Sequence, residues 1–109
     1  MEFWPVVFWV AAAYNLVIGA GGMLQAGAPR EGRVIGLLVL CFGIVYAFVA
    51  TDPSRFAPVV WAGVVGKAGV VLLMGPAARG SDAPRGLGWI LAGDAVFLLL
   101  FLAFLLGRG

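Results

Sequence analysis

Three polar side chains stand inside long apolar runs of this sequence: Asn15, Lys67 and Asp94. A lysine and an aspartate so placed could form an ion pair, pass a proton, or hold an ion or a ligand headgroup. An asparagine could donate or accept one further bond. A charge at the centre of a membrane-spanning helix costs ~2.5 to 3.5 kcal/mol on insertion scales, so each charge needs a partner or a water-filled cavity. Counted from the polar breaks on one side, Asp94, Lys67 and Asn15 lie about seven, eight and nine residues deep, or roughly 10, 12 and 14 Å. The spacing therefore predicts one intramembrane polar layer, with Lys67 and Asp94 able to meet across a helical hairpin.

Other chemistry is poorly supplied. Histidine is absent and Cys41 is the single cysteine, which removes the usual general base, the commonest metal ligand and any intramolecular disulfide. No phosphate loop, catalytic triad, carboxylate pair or metal-ligand cluster can be read from the spacing. The expectation is a chain that is not an enzyme and holds no cofactor and no metal. Cys41 reads as a small buried hydrophobe, and Tyr14 and Tyr46 as amphipathic packing residues.

The elements that must carry these side chains follow from composition. Of 109 residues, 63% are hydrophobic and 11% charged, where a soluble domain has about 25% charged. Such a surface has to face lipid. Four apolar runs, at about 3–24, 34–50, 56–75 and 87–106, each approach the ~20 residues a membrane span needs. The breaks are short, so neighbours in sequence must be antiparallel neighbours in space. The predicted fold is all-α: a single transmembrane domain over 1–109, built as an integral membrane four-helix bundle. Only Glu2 is charged near the N-terminus, so the first run reads as a retained span and not a cleaved signal. Gly27 and Pro29 should end the first helix, and Asp52 should cap the third, with Pro53 in its first turn. Arg55 reads as an interfacial anchor.

Small residues predict how the helices meet, because membrane helices associate where backbones can approach closely. Asn15 shares a stripe with Ala11, Ala12, Gly19 and Gly22, and Lys67 shares one with Gly63, beside Gly66. Gly32 and Gly36 form a short GxxxG. The bulky stretch 96–104 has no small or polar stripe and reads as lipid-facing. Ala28-Pro29-Arg30 and Ala83-Pro84-Arg85 echo each other, as do Pro5-Val6-Val7 and Pro58-Val59-Val60, a pattern that fits two related hairpins. Loops 1 and 3 carry Arg30, Arg33, Arg79 and Arg85 against Arg55 and Arg108 on the other side. The positive-inside rule then places loops 1 and 3 in the cytoplasm and both termini outside. Trp4 and Trp61 would sit near the outer interface and Trp89 near the inner one. The Arg, Ala, Gly and Val bias suggests a GC-rich bacterial source, hence an inner (cytoplasmic) membrane.

Asp52-Pro53-x-Arg55, Gly63-x-x-Gly66-Lys67 and Gly93-Asp94-x-x-Phe97 together resemble small bacterial four-span membrane proteins that carry no assigned activity. The likeness covers most of the chain through short motifs and implies a fold but no mechanism. Size and span number are also similar to the small multidrug-resistance transporters. Their embedded glutamate in the first helix is replaced here by Asn15, which removes the residue that carries that mechanism. DoxX-like proteins are similar in architecture only.

Three roles fit these features. One is an accessory or structural membrane protein acting by contacts with a membrane-protein partner or with copies of itself, its Lys67–Asp94 pair serving as a clamp. A second is an oligomeric ion- or proton-coupled transporter or channel with that pair in its path. The third is an intramembrane binder of a lipid or small apolar ligand. The lipid bilayer is the partner common to all, and nucleic acid is not expected as one.

Overall fold

The computed structural model describes residues 3–78 and 87–107. Four α-helices follow in chain order: α1 (Phe3–Leu24), α2 (Arg30–Thr51), α3 (Pro53–Ala78) and α4 (Leu87–Gly107). All four are long and apolar enough to cross a membrane, which makes the chain a small multi-pass membrane protein by length and composition. Glu2, Arg79, Asp82, Arg85, Arg108 and the second copy of the Ala-Pro-Arg echo lie outside the described residues.

α1 has the predicted bounds, whereas α2 and α3 overrun theirs. Pro29, extended at φ −66 and ψ 160, precedes α2, and its carbonyl accepts the Arg33 N–H at 3.1 Å. Helical geometry thereby takes in Arg30, Glu31 and Arg33. Glu31 in the first turn suits the positive end of the helix dipole. α3 continues to Ala78, so Lys67 stands eleven residues before its end, deeper than expected. Asp52 does cap α3: its Oδ1 accepts the Arg55 N–H at 3.4 Å and its carbonyl accepts the Phe56 N–H at 3.1 Å. Shortly beyond α1, the chain turns through Gly27 at φ +76, a conformation that a Cβ would disfavour.

The chain splits into two compact units, Met1–Val59 and Val60–Gly109, with the boundary inside α3.

In the first unit α1 and α2 run antiparallel at very short range. A Cβ on Gly19 would collide with the Leu40 nitrogen, and one on Gly36 would stand 2.5 Å from the Met23 nitrogen. Further along, one on Gly43 would meet Leu16 at 2.9 Å. Residue numbers rise along α1 as they fall along α2, and glycines on both helices make the approach possible. Val7, Phe8, Ala11, Ala12, Tyr46, Val49 and Ala50 are buried in this unit. Gly36 therefore works against α1, while Gly32, its GxxxG partner, would meet only the Pro29 ring at 3.7 Å.

In the second unit the buried positions of α3 are Val60, Gly63, Val64 and Lys67, and those of α4 are Leu91, Asp94, Phe97, Phe101 and Phe104. Each set recurs every three or four residues, the period of one helical face. Three sequence expectations are corrected here. The stretch 96–104 does carry a buried stripe, made of aromatic and not small residues. Gly66 is exposed, and a Cβ placed on it would meet nothing within 4 Å among the described residues. Cys41 is exposed on α2. Residues such as Val17, Val65, Leu72, Leu73 and Leu99 project outward, as a lipid-facing surface requires.

Candidate functional site

Lys67 Nζ donates to Asp94 Oδ1 at 2.7 Å in the second unit. The side chains keep 6% and 12% of their surface accessible. Helix periodicity sets this up on both sides. Lys67 follows Val60 and Val64 along one α3 stripe, and Asp94 lies between Leu91 and Phe97 along the α4 stripe. Lysines in spans commonly stretch towards the interface; this one turns inward to a carboxylate.

Phe97, three residues after Asp94 and on its face, lies with its ring centroid 5.4 Å from Lys67 Nζ. Phe101 extends the cluster, its ring 6.1 Å from that of Phe97. The ammonium thus has a carboxylate and the negative face of an aromatic ring near it. A charge-assisted bond is roughly twice as strong as a neutral one, and a desolvated cation–π contact adds ~2 kcal/mol. The sequence motif around Asp94 contained Phe97, but nothing in composition marked it as a neighbour of the lysine.

Asn15 is buried and works in the first unit. Its Nδ2 donates to the backbone oxygen of Val39 on α2 at 3.2 Å. Gly43, one turn beyond Val39, presents no side chain there, and Ala12, Gly19 and Gly22 flank Asn15 along α1. Asn15 makes an α1–α2 bond in the first unit, and Lys67 and Asp94 make an α3–α4 ion pair in the second.

Arg33 has a role that charge counting missed. Its Nη1 donates to the Met23 carbonyl at 2.9 Å, its Nη2 to Gln25 at 3.1 Å, and its Nε to Ala28 at 3.2 Å. The last carbonyls of a helix have no partner within it and form the negative end of its dipole. One guanidinium fork from the start of α2 therefore closes the end of α1 and the turn after it. The available signal was an arginine placed just past a Gly-x-Pro turn. At the opposite break, the Arg55 guanidinium lies 5.5 Å from the Phe56 ring centroid.

No group of three His, Cys, Asp or Glu that could hold a metal occurs among the described residues. A shallow apolar groove of about 350 Å³ runs along α1 beside Val10, Ala13, Tyr14, Val17 and Ile18. Comparison with protein-family models, with curated proteins and with solved structures finds no match.

Proposed function

We propose that this protein is a non-enzymatic accessory protein of a bacterial inner membrane, acting through helix contacts with a membrane-protein partner or a second copy. In this reading Lys67 and Asp94 form a permanent clamp that sets the register of α3 against α4. The observation that carries it is the direct 2.7 Å bond between two buried side chains, with Phe97 against the lysine. Such a pair is neutral as a unit and needs no ligand to explain it. The arginine balance of the breaks favours loops 1 and 3 in the cytoplasm and both termini outside.

Charge exchange tests the clamp. Lys67→Asp or Asp94→Lys alone sets two like charges together in a buried site, which should cost at least as much as removing one partner, about 3–5 kcal/mol. The double exchange should recover most of that loss, read as reversible unfolding in detergent or bilayer discs. A double variant no more stable than either single one would refute the clamp.

A further inference from the structure

The clamp engages only one oxygen of its carboxylate. Lys67 Nζ bonds to Oδ1 of Asp94; among the described residues Oδ2 accepts no bond. The aspartate is nine-tenths buried, yet its side chain keeps twice the accessible fraction of its partner, 12% against 6%. Asp94 lies seven residues inside α4, roughly 10 Å along the helix axis. Hydrocarbon offers nothing to satisfy a charged acceptor at that depth, so an open Oδ2 is a strong site for a donor.

Charge and surroundings restrict what that donor can be. Lys67 already neutralises Asp94, so a second cation would leave a net charge where charge is costly. An anion would face the carboxylate and find Lys67 already engaged. A neutral hydroxyl adds no charge and still makes a charge-assisted bond. Around the carboxylate, Leu91 and Phe97 share its face of α4, and Gly63 places no side chain one turn before Lys67 on α3. A single acceptor beside apolar side chains matches one hydroxyl on an apolar body.

We propose that Asp94 Oδ2 is the anchoring acceptor of an intramembrane site for a neutral, membrane-dissolved alcohol. The site rests on the clamp reading, because it requires Lys67 to stay on Oδ1. The test uses the full chain in bilayer discs and a diazirine-bearing long-chain alcohol, with photolabelled residues mapped by peptide mass spectrometry. Label should concentrate on α3 and α4 around Lys67 and Asp94. Dodecanol should compete roughly tenfold better than its methyl ether, which cannot donate, as expected for loss of one hydrogen bond to a charged group. Equal competition by alcohol and ether overturns the site, as does label spread over the lipid-facing surface. No competition by either also overturns it and leaves water as the donor. The apolar variant Lys67→Met with Asp94→Leu, which leaves no acceptor and no uncompensated charge, should lose the alcohol preference; if it keeps the preference, the site is wrong. Failure of the charge exchange to restore stability counts against the clamp, while the wild-type competition still decides the site.

Discussion

Two of the interactions that hold Lys67 differ in kind, and they can be separated. The Asp94 carboxylate supplies charge and the Phe97 ring supplies a polarisable face. Phe97→Leu should therefore destabilise the wild-type protein more than it destabilises a Lys67→Met, Asp94→Leu background. The expected coupling is about 0.5–2 kcal/mol, measured as a double-mutant cycle of unfolding free energies. A coupling of zero would mean that the ring only fills space. Asp94 and Lys67 were legible as costly residues from their apolar context alone. Their shared depth was legible from counting, although α3 proved longer than its apolar run. Phe97 was not legible as their neighbour, because a phenylalanine among leucines carries no sign of which way it faces.

At the scale of the helix, two sets of glycines look alike in sequence and differ in structure. Gly19, Gly36 and Gly43 lie against the backbone of the facing helix, whereas a Cβ on Gly66 or Gly69 would meet nothing within 4 Å. Gly36→Ala should force α1 and α2 apart and cost about 2–3 kcal/mol, since backbone cannot step aside as a flexible side chain can. Gly66→Ala should be neutral or should stabilise by about 0.5–1 kcal/mol through helix propensity. Unfolding midpoints of the two variants side by side check this contrast. Arg33→Lys keeps the charge but loses the planar fork. It should cost about 1–2 kcal/mol and speed amide exchange in the turn after α1, while Arg30→Lys, which has no such geometry to lose, should change neither.

Among the described residues every helix exposes large apolar side chains, and Cys41 offers a probe of that surface. The thiol is exposed and eleven residues inside α2, roughly 16 Å along its axis. In bilayer discs a membrane-soluble maleimide should therefore label Cys41, and a sulfonated, membrane-impermeant one should not. Labelling by both reagents would place that face of α2 in water and contradict the lipid-facing assignment. The boundary between the two compact units falls inside α3, not at the polar break around Asp52 where the hairpin echo would divide the chain. A continuous helix across that boundary is possible because Pro53 and Asp52 begin α3 before it.

Composition and spacing alone determined four membrane-length helices, the Asp52 cap, the glycine turn after α1 and the cost of burying Lys67 and Asp94. Each of these depends on local chemistry: hydrocarbon transfer, backbone geometry or the desolvation of a charge. Tertiary structure alone decided which glycines meet a neighbour, that the phenylalanines of α4 turn inward while Cys41 turns outward, and that Arg33 reaches back to α1. Those outcomes depend on which faces of uniformly apolar helices meet, and an apolar residue facing lipid has the same sequence signature as one facing another helix.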